Sequence, residues 1–214
     1  MKETDQIKFW KKVGTSYTDA NDDWNSSTQN FRISHANSYI LKDFGSIDRD
    51  AKILEVGCNV GRNLHVLHQD GFKNLYGIDI QSYAVEKLKE RVPNVNAQVS
   101  SALDLPFEDG FFDVVYTAGV LIHISPNDIA RVVEEICRCV KPGGYIWGCE
   151  LYHDNNVAIP WRNNIEACWA DNFPLIYLDN NNNLELLREE KIPLPGGRSN
   201  RQQHIYLFKK GHHE

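Results

Sequence analysis

An α/β fold with a parallel sheet covered by helices on both faces is what this sequence predicts, and three observations carry the prediction. Short apolar runs alternate with helical patterns from residue 51 onwards. The first of these runs closes on a tight turn holding two glycines, Gly57 and Gly61. Further on, Ile129, Val132, Val133, Ile136 and Val140 recur at i, i+3, i+4, i+7 and i+11, which makes one apolar helix face.

The elements follow in order. Residues 1–30 are polar with scattered aromatics (Phe9, Trp10, Tyr17, Trp24) and suit short helical pieces and loops. Residues 31–44 suit a helix with Ile33, Ala36, Ile40 and Phe44 among its apolar positions. Ala51 to Gly57 reads as a buried strand, and a helix follows from Arg62 to Gln69. Leu75 to Asp79 is a second strand, and Ser82 to Arg91 a second helix, stopped by Pro93. Val95–Val99 and Phe112–Thr117 are the third and fourth strands. The next helix has Ser125 as its N-cap and Pro126 at its first position, and Pro142-Gly143-Gly144 ends it. Tyr145–Leu151, Leu184–Lys191 and His204–Lys209 complete the strands, with Asn180–Asn183 as a polar loop tip.

Composition narrows the function. The chain is 42% hydrophobic and 24% charged, which excludes disordered and collagen-like classes. No apolar run reaches the roughly 20 residues that span a bilayer, and the first residues do not read as a signal peptide. The expected location is the cytoplasm, with no membrane partner. A net charge of −6 without a lysine- or arginine-rich stripe argues against nucleic acid as a partner, because that binding rests on neutralising phosphates. The five cysteines are odd in number and form no Cys-x-x-Cys pair. They read as reduced, mostly buried thiols, with no disulfide framework and no metal site.

The chemistry sits in Ile53-Leu54-Glu55-Val56-Gly57-Cys58-Asn59-Val60-Gly61. A strand, a glycine turn and a helix place a ligand at the carboxyl end of the first strand. Gly57 and Gly61 let backbone pass close to it, and Asn59 tolerates the left-handed conformation where a third glycine often sits. Asp79, about 20 residues on, is placed to accept hydrogen bonds from both hydroxyls of a ribose. The alternative is a helix cap. The run lacks the G-x-G-x-x-G spacing of a dinucleotide site, and Glu55 beside the turn suits a ligand with a cationic amino group.

Five motifs in order then resemble one family. Leu54 through Gly61, Tyr76-Gly77-Ile78-Asp79-Ile80, Ser100 through Phe107, Phe112-Asp113-Val114-Val115 and Val140-Lys141-Pro142-Gly143-Gly144 look like the successive motifs of class I methyltransferases that use S-adenosylmethionine (SAM). The resemblance implies a Rossmann-like, doubly wound, mostly parallel seven-stranded sheet with an antiparallel last strand. It also implies a single domain over 1–214: an N-terminal helical lid segment over 1–45, a SAM-binding core over 50–151, and an acceptor-side insertion with the last strands over 152–214. A narrower likeness, on Phe9-Trp10, Gly14, Tyr17, Asn21 and Gly119 through Ile124, is to methylases associated with pseudaminic acid biosynthesis.

By that resemblance Gly57, Asn59 and Gly61 shape the cofactor pocket, Asp79 holds the ribose and Ile80 packs on the adenine. Ser101, Ala102 and Leu103 line the adenine edge; Ser101 stands where the family usually has an acid. Thr117 and Gly119 lie beside the methionine part, and Tyr17 and Arg32 are candidates for its carboxylate. His123 follows the fourth strand; it reads either as a general base or as a histidine packed under the next helix. Glu150, Tyr152 and His153 end the fifth strand and read either as facing the acceptor or, the favoured reading, as solvated. Trp10, Tyr17 and Trp24 read as part of a lid or as packing on the sheet, and Trp161, Arg162 and Trp169 as acceptor contacts or core. The expected reaction transfers the SAM methyl to an O or N atom of a small polar metabolite, a sugar or amino-acid derivative, with S-adenosylhomocysteine as product and no metal. The competing readings are an NAD-dependent oxidoreductase, a protein or peptide methyltransferase, and a SAM-binding protein without turnover.

Overall fold

The computed structural model describes residues 8, 10, 37–158, 168–193 and 202–212. Tyr17, Trp24, Arg32, Trp161 and Arg162 lie outside the described residues. Two compact units divide the chain, Met1–Ala102 and Leu103–Glu214. Seven strands form one sheet in the order Asn96–Val99, Asn74–Asp79, Lys52–Val56, Phe112–Ala118, Val140–Tyr152, Gln202–Lys210, Leu184–Pro193, with a separate two-stranded ribbon of Val157–Ala158 and Trp169–Ala170.

In the unit Met1–Ala102 the backbone is helical over 37–44, then alternates strand and helix. β1 (Lys52–Val56), α1 (Arg62–Gln69), β2 (Asn74–Asp79), α2 (Ser82–Arg91) and β3 (Asn96–Val99) follow. β1 pairs parallel with β2, and β2 parallel with β3. Ile53, Leu54 and Val56 of β1 are fully buried, as are Leu64 and Leu67 of α1 and Leu88 of α2. Each such side chain contributes roughly 1.5–3 kcal/mol through burial. The near-continuous apolar run of β1 is what a strand covered on both faces requires.

Two glycines let these helices approach the sheet. A Cβ on Gly77, in β2, would stand 2.9 Å from Sγ of Cys58 and 3.0 Å from methyls of both Leu64 and Leu88. A Cβ on Gly61, at the start of α1, would stand 2.2 Å from Cδ1 of Leu88. Gly61 also has φ 84°, a left-handed conformation that a side chain disfavours.

The unit Leu103–Glu214 holds β4 (Phe112–Ala118), a 3₁₀ turn over Leu121–His123, α3 (Ile129–Cys139), β5 (Val140–Tyr152), β6 (Val157–Ala158), β7 (Trp169–Ala170), α4 (Phe173–Asn180), β8 (Leu184–Pro193) and β9 (Gln202–Lys210). β4 and β5 run parallel, and β9 is antiparallel to both β5 and β8. The expected antiparallel last strand is therefore present. Gly148 of β5 pairs directly with Tyr206 of β9, and a Cβ on Gly148 would come 2.0 Å from that ring. Tyr206 is fully buried and touches Tyr177 of α4, ring centroids 5.8 Å apart.

Three expectations need correction here. α3 begins at Ile129 with Asp128 as N-cap residue, not at Pro126 after Ser125. Ser125 instead closes a turn ahead of the helix: its carbonyl accepts from Asp128 and Ile129, and its hydroxyl from the amide of Asn127 at 3.3 Å. Pro142-Gly143-Gly144 does not separate helix from strand. β5 already starts at Val140, and the three residues form a bulge, seen as a register jump from Phe112–Val140 to Val114–Tyr145. Gly143, at φ 79°, supplies the left-handed step. Third, α4 and the β6-β7 ribbon are elements the sequence did not announce. Phe173-Pro174-Leu175-Ile176-Tyr177-Leu178 is apolar all round and shows no helical stripe.

Candidate functional site

The glycine turn of the unit Met1–Ala102 is built by backbone that few residues adopt. Gly57 (φ 71°), Asn59 (φ 46°) and Gly61 (φ 84°) all take positive φ. Asn59 thus occupies the left-handed region as expected, and its Oδ1 accepts the next amide, Val60, at 2.7 Å. The Cys58 amide donates to the Ile78 carbonyl at 2.8 Å, tying the turn to the end of β2.

Asp79 stands at that end. Its Oδ2 accepts the Asn59 amide and its Oδ1 the Gln81 amide, both at 2.9 Å. The carboxylate therefore grips the tip of the glycine turn and the entry to α2 together. The N-cap residue of α2 is Gln81, whose own side chain makes no cap bond. Burial pushes its pKa up, and the bonds from Gln81 and Asn59 oppose that shift. With two oxygens and about four lone-pair sites, the group keeps capacity to accept from ligand hydroxyls. Glu55 is 2% exposed, and its Oε1 accepts from Nδ2 of Asn63 at 2.5 Å. Asn63 had no role assigned from the sequence; it is the second residue of α1, eight residues after Glu55, and its side chain reaches back to the strand end. Cys58, buried beneath the turn, has its thiol pKa pushed well up by burial and by the charges of Asp79 and Glu55, so it stays a neutral thiol.

Ile80, Ser101 and Ala102 are half-buried in the same unit. Trp10 is also described there; its carbonyl accepts from Nε2 of Gln81 at 3.2 Å. That contact joins the N-terminal segment to the residue after Ile80.

In the unit Leu103–Glu214 the remaining predicted residues fall in two places. Leu103 begins a loop that α3 holds with charged side chains. Nε of Arg131 donates to the Leu103 carbonyl at 2.8 Å, and Arg138 donates to the carbonyls of Leu105 and Phe107 at 3.0 and 2.7 Å. Glu135 accepts the Leu105 amide at 2.7 Å and pairs with Arg138 at 2.9 Å. The sequence signal for this clamp was the Arg131, Glu135, Arg138 spacing on the polar face of α3.

Thr117, 1% exposed, and Gly119, at φ 69°, mark the end of β4. His123 closes the 3₁₀ turn that follows, half-buried, with its Nδ1 3.0 Å from Sγ of Cys168. Glu150 corrects the reading of a solvated strand end: it is 2% exposed. Its Oε1 accepts the Val120 amide at 3.1 Å, and its Oε2 lies 3.5 Å from the Ile122 amide. Burial raises its pKa to about 7. His153 is exposed and Tyr152 half-buried. All five cysteines are buried. Among the described residues no helix is long and apolar enough to cross a membrane.

Comparison with known proteins agrees with this geometry. Residues 54–148 match the family model described as a methyltransferase domain. An uncharacterized methyltransferase of Synechocystis is 30% identical over 111 residues, which cover 52% of each chain. A SAM-dependent methyltransferase from Methanosarcina mazei superposes with a TM-score of 0.67 at 20% identity, over 81% of this chain and 98% of the other. Geranyl diphosphate C-methyltransferase from Streptomyces coelicolor, solved with Mg2+, geranyl diphosphate and S-adenosyl-L-homocysteine, gives a TM-score of 0.74 at 13% identity over 98% and 100% of the two chains. The chain spans about half or less of the length of the first curated relatives it matches. The strand order and these likenesses show the Rossmann-like class I methyltransferase fold, and residues 54–148 are similar to a methyltransferase domain.

Proposed function

We propose that this chain is a SAM-dependent methyltransferase that methylates an O or N atom of a small polar metabolite. The observation that carries the reading is Asp79, whose carboxylate is pinned against the Asn59 amide of the glycine turn at 2.9 Å. A ribose diol needs a fixed acceptor at the end of the second strand, and the positive-φ turn beside it gives a ligand access to backbone. Glu55, held by Asn63, supplies negative charge for the cationic amino group of the methionine part. Bound SAM supplies a methyl group already activated by sulfonium, which passes to the acceptor by in-line displacement.

The chain's own residues then orient and exclude water. Ile80, Ser101, Ala102 and Leu103 line the adenine in this reading, Thr117 and Gly119 flank the methionine part, and Tyr17 and Arg32 hold its carboxylate. His123 takes the proton of an acceptor hydroxyl; a neutral amine acceptor needs no base. The narrower resemblance to pseudaminic-acid-associated methylases supports a sugar or amino-acid derivative as acceptor, and the net charge of −6 supports a partner other than nucleic acid.

Calorimetric titration with S-adenosylhomocysteine, with NAD alongside, tests the cofactor. Binding of S-adenosylhomocysteine alone is expected, weakened by about 100-fold or more in Asp79→Ala, since two charge-assisted hydrogen bonds are worth roughly 1.5–3 kcal/mol each. Binding of NAD instead, or of neither ligand, sinks the reading.

A further inference from the structure

We propose that Glu150 is a positioning residue, whose buried carboxylate fixes the 120–123 turn and through it the imidazole of His123. The inference rests on the reading of His123 as the acceptor-side base and names what sets its orientation.

The turn hangs from β5. The Gly119 amide donates to the Cys149 carbonyl at 2.9 Å, and the next residue, Glu150, takes the Val120 amide at 3.1 Å and faces the Ile122 amide at 3.5 Å. The turn closes on itself through His123 N–H to the Val120 carbonyl at 2.8 Å and Ile124 N–H to the Leu121 carbonyl at 3.0 Å. The amide that Glu150 holds and the carbonyl that holds His123 thus belong to one residue, Val120. A shift of that residue moves the imidazole.

The ring is fixed from the same strand. Sγ of Cys168 lies 3.0 Å from Nδ1 of His123. Cys168 directly precedes β7, and the Asp171 amide just beyond β7 donates to the Leu151 carbonyl of β5 at 3.4 Å. β5 therefore anchors His123 twice, through its backbone by Glu150 and through its side chain by the segment bearing Cys168.

The groups that face the Glu150 carboxylate are the Cys149 thiol on its own strand, Thr117 of β4, and the phenols of Tyr177 on α4 and Tyr206 on β9. None of these is a cation, so the amides of the turn supply its compensation. Burial holds its pKa at about 7. Ionised, both oxygens accept; protonated, one becomes a donor and the grip on the turn loosens. The position of His123 then follows pH near neutrality.

Two-dimensional ¹H–¹⁵N spectra of the ligand-free full chain test this without cofactor or acceptor. Wild type and Glu150→Gln are titrated from about pH 5.5 to 8.5, a range centred on the ordinary histidine and raised carboxyl values. In wild type the Val120 and Ile122 amides are expected to shift with a midpoint near 7, and the His123 ring signals to carry that inflection beside their own. Glu150→Gln, which keeps the shape, is expected to lose it while unfolding cooperatively. Flat Val120 and Ile122 amides in wild type, or His123 ring signals that titrate identically in the two proteins, overturn the proposal. S-adenosylhomocysteine titration of the same samples reports separately on the methyltransferase reading, so the failure of either is distinguishable from the failure of the other.

Discussion

Glu150 ionises near pH 7 because its carboxyl sits out of water, with backbone amides as its donors. Its ordinary value is 4.5, so the folded chain holds this proton more tightly than the unfolded chain does. The sign follows from linkage: the charge costs nothing below the unfolded value, and stability is lost as pH rises from there through the folded value. Glutamine carries no charge at any pH. Urea unfolding of wild type and Glu150→Gln should therefore diverge with pH, the variant gaining about 2 kcal/mol on wild type between about pH 5 and pH 8. A gap that closes as pH rises contradicts the burial argument. Strand-end position alone suggested a solvated side chain. Nothing in Gly148-Cys149-Glu150-Leu151 reveals that the 3₁₀ turn folds back over it, because that contact joins residues about 30 apart. Asp79 lies between two features that local sequence announces, the glycine turn and the start of α2, although its bonds to the Asn59 and Gln81 amides were not read from it.

Among the elements, α1 and α2 run over the residues that the sequence suggested, Arg62–Gln69 and Ser82–Arg91. Glycine, proline and period fixed their ends locally. α3 starts three residues later than its cap residues implied, because residues 126–128 form a turn ahead of the helix. α4 left no stripe to read, because Phe173 and Tyr177 pack inward while the remaining positions are also mostly apolar. Gly61 was expected to serve a ligand. The structure adds a second demand on it, close approach to the buried Leu88 of α2. Gly61→Ala should cost roughly 2–5 kcal/mol, combining the left-handed backbone penalty with overpacking. Gly77→Ala meets the same leucine without positive φ and should cost less, about 1–3 kcal/mol. Denaturant midpoints compare them, and Gly61→Ala at wild-type stability excludes the packing role.

On the scale of the whole chain, ligand binding and folding are linked, because a molecule that binds only the folded protein stabilises it by mass action. S-adenosylhomocysteine at about 100 times its Kd should add roughly 2.7 kcal/mol and raise the thermal midpoint. The same addition should stabilise Asp79→Ala by no more than about 0.4 kcal/mol, since its Kd is about 100-fold higher or more. A rise in the variant equal to that in wild type would place the ligand away from Asp79. The order of the motifs made the sheet legible from sequence, since strands and helices alternate along the chain. The surroundings of His123 were not legible in the same way, because Glu150, Cys168 and His123 come from three separated stretches that only the folded chain brings together.

Gly148 and Tyr206 hold one space between them. The ring of Tyr206 lies where the side chain of its cross-strand partner would be, and Tyr206 is fully buried against Tyr177 and Phe208. Enlarging Gly148 alone collides with the ring, and shrinking Tyr206 alone opens a cavity. The two positions can drift only as a pair. Among descendants of this sequence, a larger residue at one strand position should arrive with a smaller one opposite, so the history of the β5–β9 seam is one of compensated exchanges.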